Sequence, residues 1–284
     1  MTEAFLRKKC AAMSHFSVYF LSILWYAVRR AVFVMTAPMN ALPEGGGTMR
    51  ITCDLHMHSA LSPCAMEDMT PNNMVNMALL EELTAIAITD HNSCENVGAI
   101  MRVARGSGLV IIPGMEVQTR EDVHMVTLFA DLDAAMAMQQ QVYGTLPPFR
   151  ASAKQQAKQL LLDEEDEVVG HCSMLLNMSC GFSVEEVVRL AASLDGIAIP
   201  AHIDRKSFSM CSQLGFVPPN LPVTNLEVSM FADAEQFRRE YPAYRILTDS
   251  DAHELGHIGL VRNELDVETV SAHGIIKALA AAIG

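Results

Sequence analysis

The sequence predicts an α/β fold built around a parallel sheet. Three observations predict it. From Ile51 onward, short apolar runs alternate with segments patterned for helices. Side chains able to bind metals or move protons recur at the ends of those runs, where parallel α/β folds place their sites. Half of the 284 residues are hydrophobic, enough to build the core of one large domain or two small ones.

Ile51–His58 reads as the first strand, with Ile51, Cys53, Leu55 and Met57 in alternation. His56 and His58 are two apart, so on a strand both imidazoles share one face, close to Asp54. Thr70 and Pro71 open a helix as N-cap and first-turn proline, and Met74, Met77, Ala78 and Leu80 follow at helical spacing. Thr84–Thr89 is a strand running into Asp90 and His91. Glu95–Arg105 is a helix stopped by Gly106, and Leu109–Pro113 is a strand leading to Gly114-Met-Glu116. A strand over His124–Phe129 precedes helices over Asp131–Tyr143 and Ala151–Leu162. Glu167–His171 is a short strand. Ser183 and Glu186 form a capping box that opens a helix over Val184–Leu194. Ile197–Ala201 ends in His202, and Asn225–Ser229 and Arg245–Thr248 are further strands. The last of these runs into Asp249-Ser-Asp251-Ala-His253, and Glu268–Ile283 closes the chain as a helix. This alternation fits a barrel or a doubly wound sheet.

Net charge is −13, which argues against polymeric nucleic acid as a partner. An acidic protein that handles phosphates needs metal cations or local arginines. The seven cysteines include no C-x-x-C pair, which fits reduced thiols in a cytoplasm. Residues 1–48 differ: they carry about +3, the remainder about −16. Phe16–Val28 is apolar but short for a membrane span. It follows a basic segment as in a signal peptide, but no small-residue cleavage site follows it. The foremost reading is that translation starts at Met49, with Glu44-Gly-Gly-Gly-Thr48 a purine-rich ribosome-binding sequence read as protein. A membrane-associating leader and an ordinary extension are the alternatives. The domain expected to carry the function is therefore 49–284.

The residues able to do chemistry are His56, His58, His91, Glu116, His124, His202, Asp251 and His253. Each has a structural reading alone, as a hydrogen-bonding histidine or a turn carboxylate. Together, six histidines and two carboxylates marking successive strands point to bound zinc, manganese or iron. Asp54-Leu-His-Met-His-Ser, Ile88-Thr-Asp-His91, Gly114-Met-Glu116, Val123-His124, Pro200-Ala-His202 and Ser250-Asp-Ala-His253 resemble, in order, the motifs of the PHP family. That family includes polymerase-associated PHP domains and histidinol-phosphate phosphatases.

The resemblance spans roughly residues 50–265 and implies a distorted seven-stranded β/α barrel, a site for two or three divalent ions and phosphoester hydrolysis; the acidic charge makes phosphate esters of small molecules the expected substrates. The resemblance implies that His56, His58, Glu116 and Asp251 hold a first ion, Glu116, His124 and His202 a second, and His91 and His253 a third. Where the family has another ligand, usually Asp or His, this chain has Cys64, which is either a zinc thiolate or a small core residue. Clustered ions would neutralise the ester and lower the pKa of a bridging water, giving a hydroxide for in-line attack. Asp90 is placed to orient His91, Arg205 to hold a phosphate oxygen, and His257, ahead of His171, to protonate the leaving oxygen.

Two other functions compete. One is a metal-binding PHP module without catalysis. The other is a zinc protease, because His253-Glu-Leu-Gly-His257 matches H-E-x-x-H. That motif needs a helix, which Gly256 and the preceding strand disfavour. It also leaves five of the histidines without a role.

Overall fold

The computed structural model describes residues 47–148 and 150–282. Residues 1–46, and with them the expectations for the N-terminal extension, lie outside the described residues. Among the described residues there are ten strands: β1 Met49–Asp54, β2 Ala85–Ile88, β3 Val110–Gln118, β4 His124–Leu128, β5 Leu160–Leu162, β6 Val168–His171, β7 Ile197–Pro200, β8 Asn225–Ser229, β9 Arg245–Asp249 and β10 Asn263–Val267. Six of them form one sheet in the order β10-β1-β2-β3-β4-β7. The α/β class holds, but the sheet is mixed. The β1–β2 and β2–β3 pairs are parallel, whereas β1–β10, β3–β4 and β4–β7 are antiparallel.

The hydrogen-bonded ladder is six strands, not a ring of seven. β8 and β9 form a separate parallel pair, and β5 and β6 an antiparallel one. Buried side chains join the β8–β9 pair to the sheet in place of a ladder. Leu55 N donates to Asp249 Oδ1 at 2.6 Å and Ser250 N to Asp54 Oδ1 at 3.1 Å. Thr248 N donates to Asn263 Oδ1 at 2.9 Å. These carboxylates and the amide take the donors that neighbouring strands would otherwise satisfy. Burial pushes the Asp54 carboxyl up to about 6, because the charged form loses hydration.

The central strands β2, β3 and β4 are buried on both faces. In β2, Ile86 and Ile88 join one core cluster while Ala85 and Ala87 join another. The second cluster is closed by Ile275, Ile276 and Leu279 of the C-terminal helix Ala272–Ala280. Continuous apolar runs such as Ala85–Ile88 follow from this double burial.

Several elements depart from expectation. β3 runs nine residues through Gly114, so Glu116 sits within a strand and not after one. A Cβ on Gly114 would lie 2.5 Å from the Thr127 carbonyl oxygen, so glycine is what lets β4 approach here. Ala151–Leu162 is not one helix. A single capped turn, Ala153–Gln156, is followed by β5. No strand is expected at β10 from the sequence reading above, although its alternating burial is legible in Asn263-Glu-Leu-Asp-Val267. Thr70 does not cap its helix with its own side chain; it donates to Asp166, which accepts Asn72 N at 2.9 Å in its place. The Ser183–Glu186 capping box is present as read. Among the described residues, no helix is long and apolar enough to cross a membrane.

Candidate metal centre

Loops and strand ends bring eight of the sequence-selected residues together. His56 and His58 follow β1, His91 follows β2, and Glu116 lies in β3. His124 opens β4. Because β4 runs antiparallel to β3, the start of this strand meets the same end of the sheet as the ends of the parallel ones. His202 follows β7, and Asp251 and His253 follow β9. His202 and Asp251 have φ of +29° and +47°, a left-handed backbone that costs about 1–3 kcal/mol in residues other than glycine. The surrounding contacts hold them in it.

Glu116 is the centre. Its Oε1 lies 2.8 Å from His124 Nδ1, 3.1 Å from His202 Nε2 and 3.4 Å from His56 Nε2. Its Oε2 lies 2.8 Å from His91 Nδ1 and 3.6 Å from His58 Nε2. Asp251 Oδ1 lies 3.1 Å from His58 Nε2 and 3.3 Å from His56 Nε2. Three sets of ligand atoms are each compact enough to surround one ion: His56, His58 and Asp251; His91, Glu116 and His124; and His58, Cys64, His91 and His253.

The electrostatics follow from burial opposed by charge. Burial raises the Glu116 carboxyl, but His124, His56 and His91 outweigh it and hold it well below the usual range. Asp251 is lowered in the same way, chiefly by His56 and His58. Burial lowers His91, yet Glu116 and Cys64 bring it up to about 10. Cys64 is exposed as a residue, but its thiol turns to the rings of His253 and His91. Burial opposes ionisation of that thiol, and these two rings still bring it down to about 7.

The residues fit divalent ions. His202 Nδ1 is buried without a hydrogen-bond partner. His91 Nδ1, 2.8 Å from Glu116 Oε2, is likewise buried with no hydrogen bond assigned to it. Buried polar atoms are rarely left unpaired without a ligand or a function. Nitrogen, oxygen and sulfur donors converging in this way suit zinc, manganese or iron.

Other sequence-selected residues fall differently. Arg205 Nη1 is 2.6 Å from Asp251 Oδ2 and the side chain remains partly exposed. Asp90 does not reach the His91 ring. It accepts from Ser59 N, Ser59 Oγ and Ser62 Oγ, and Ser62 Oγ in turn lies 3.0 Å from His58 Nδ1. His257 sits on a three-residue 3-10 turn, Leu255–His257, paired with Glu254 at 3.0 Å and outside the three ligand sets. The helix a zinc-protease motif needs is absent there. His171 is exposed in β6.

Glu227 was missed. It is buried in β8, with Oε1 and Oε2 at 3.0 and 2.9 Å from His56 Nδ1, and Oε1 accepts His202 N at 3.3 Å. A glutamate between Leu226 and Val228 in a fully buried strand was the available signal. A carboxylate there accepts the Nδ1 proton, which would leave Nε2 as the nitrogen available to an ion. Glu227→Gln should keep the fold and weaken metal binding by roughly 10–100-fold. Competition with a fluorescent chelator measures this, and unchanged affinity would leave Glu227 a purely structural group.

Residues 54–199 match the PHP domain, and the chain belongs to that family. No curated protein matches the sequence. Among solved structures, the fold is similar to that of the lesion-specific endonuclease Endonuclease Q of Pyrococcus furiosus. The TM-score is 0.62 at 20% identity, covering 82% of this chain and 56% of that one. The chain thus spans little more than half of Endonuclease Q. It is also similar to a two-domain protein of Bacteroides vulgatus containing a PHP-like metal-dependent phosphoesterase, with a TM-score of 0.50, 17% identity, and coverage of 84% and 65%. A Bifidobacterium adolescentis protein assigned as a metal-dependent phosphoesterase gives a TM-score of 0.50, 17% identity, and coverage of 72% and 88%.

One expectation is corrected by these comparisons. Net charge was taken to argue against polymeric nucleic acid, yet Endonuclease Q, with this fold, is known in complex with a 27-mer duplex bearing an abasic lesion at its active site. Overall charge does not decide the matter, because binding depends on the local field and bound cations at the site.

Proposed function

We propose that the protein is a metal-dependent phosphoesterase acting on phosphate esters of small molecules. The observation supporting it is the convergence of His56, His58, His91, Glu116, His124, His202, Asp251 and His253 on one buried cluster. In this reading these residues would hold two or three divalent ions, with Glu116 among the ligands. When bound, such ions neutralise the ester and lower the pKa of water. Glu227 and Ser62 hold the rings of His56 and His58 in position. Arg205, partly exposed beside Asp251, presents its remaining N–H groups to a phosphate oxygen. His257 has no part in this mechanism, since its ring pairs with Glu254. We place the protein in the cytoplasm, as its cysteine usage fits.

A second reading, cleavage of phosphodiesters in damaged DNA, is favoured by the fold shared with Endonuclease Q. One experiment separates the readings. The full chain, stripped by chelator and reloaded with manganese or zinc, is assayed on a panel of phosphorylated metabolites, on a duplex with one abasic site, and on casein. Metal-dependent release of phosphate from metabolites is the expected result. Strand cleavage alone selects the second reading, and metal uptake without turnover selects a non-catalytic module.

We further propose that residues 49–284 form the metal-binding domain without the preceding segment. A chain beginning at Met49 should fold, bind the same number of ions and keep turnover within about twofold. Loss of metal in that chain would show that the preceding segment belongs to the domain.

A further inference from the structure

We propose that Phe208 is a specificity-determining residue, a wall against which a flat aromatic or heteroaromatic group of the phosphate ester is held. The proposal rests on the phosphoesterase reading and extends it to the part of the substrate beyond the phosphate.

Phe208 stands between the cluster and solvent. Its ring is 4.8 Å from that of His124 at an interplanar angle of 15°, so the two are stacked. His124 is buried, whereas Phe208 is 41% exposed. An aromatic side chain that only filled the core would be covered. The backbone sharpens the point. Phe208 has φ of +55°, a conformation uncommon for any residue but glycine and costly for a bulky one.

The loop is built to hold it there. Arg205 N donates to His202 O at 2.9 Å, turning the chain directly after a residue of the cluster. Ser209 Oγ donates to Arg205 O at 2.6 Å, and His124 N donates to Phe208 O at 2.8 Å. Ser209 then caps the helix Met210–Leu214. One short, tied loop therefore offers a guanidinium beside Asp251 and a flat apolar face beside His124. An anionic phosphate and a planar group bonded to it match that pair of features. Offset stacking on an aromatic face is also tolerant of which ring is offered.

The alternative is that Phe208 only shields His124. Calorimetric titration of the metal-loaded full chain with phenylphosphonate and butylphosphonate distinguishes the two without requiring turnover. Wild type should bind phenylphosphonate roughly tenfold more tightly. Phe208→Asn removes the ring but suits the left-handed backbone, so the loop is kept. It should abolish the preference while leaving butylphosphonate affinity and metal content unchanged. Phe208→Tyr should retain the preference. Equal affinities in wild type, binding of neither phosphonate, or a parallel loss of both in Phe208→Asn overturns the proposal. So does loss of metal in Phe208→Asn alone, which would assign the ring to holding His124. A preference for phenylphosphonate with no hydrolysis of any phosphate ester would instead sink the phosphoesterase reading. Hydrolysis without the preference would sink only this one.

Discussion

Glu116→Gln is expected to lower turnover by about three orders of magnitude, equivalent to roughly 4 kcal/mol of transition-state stabilisation, and to lose at least one metal ion per chain. The substitution preserves shape and removes one negative charge. Five imidazoles approach that carboxylate, from His56, His58, His91, His124 and His202. No other residue of the cluster touches as many. The metal-free protein gives a second readout. His91 is raised to about 10, chiefly by Glu116 with Cys64, so these contacts contribute stability that is fully present below the ordinary histidine pKa and is lost as pH rises through about 10. Chelator-treated Glu116→Gln should therefore melt below chelator-treated wild type at pH 7, and the gap should narrow towards pH 10. Full metal content and turnover in Glu116→Gln would remove this carboxylate from the centre of the mechanism.

Cys64→Ser is expected to lose one ion per chain and more than about 100-fold in turnover, beyond the range for a group that only supports a ligand. The thiol faces His253 and His91 and is brought down to about 7, so a large share is thiolate at neutral pH. A serine hydroxyl of similar size does not ionise there. Cys64→Asp should keep the ion count and shift preference from zinc towards manganese, since a hard oxygen replaces a soft sulfur. If Cys64 is only a packing residue, Cys64→Ser leaves metal content unchanged and Cys64→Asp mainly costs stability. Elemental analysis of the three proteins decides between these outcomes, and unchanged metal in Cys64→Ser rules out the ligand role.

Much of the site was legible because its chemistry is concentrated in short motifs. His56 and His58 within six residues, and Asp251 and His253 within three, are visible without knowing how the chain folds. Apolar runs also located most strands, since double burial leaves a run such as Ala85–Ile88 no polar position. Direction and partnership were not legible. Nothing local to Met125 or Val126 says that β4 runs antiparallel to β3, because a strand buried on both faces has the same composition in either direction. The partner of β10 was equally out of reach, since its pairing with β1 joins residues more than 200 positions apart.

The ordered motifs in the linear chain were therefore sufficient for the family and for the kind of donor atoms in the cluster. Side-chain chemistry is a property of each residue wherever it lies. How those groups act on one another depended on distances set by the folded chain. Glu227 became a partner of His56 through packing across 171 positions, and Asp90 turned to Ser59 and Ser62 instead of the adjacent His91 ring. The Cys64 thiol is lowered only because two rings from elsewhere in the chain reach it. Hydrogen bonds and charge–charge interactions fall off over a few ångströms, so they are fixed by proximity in space and not by order along the chain.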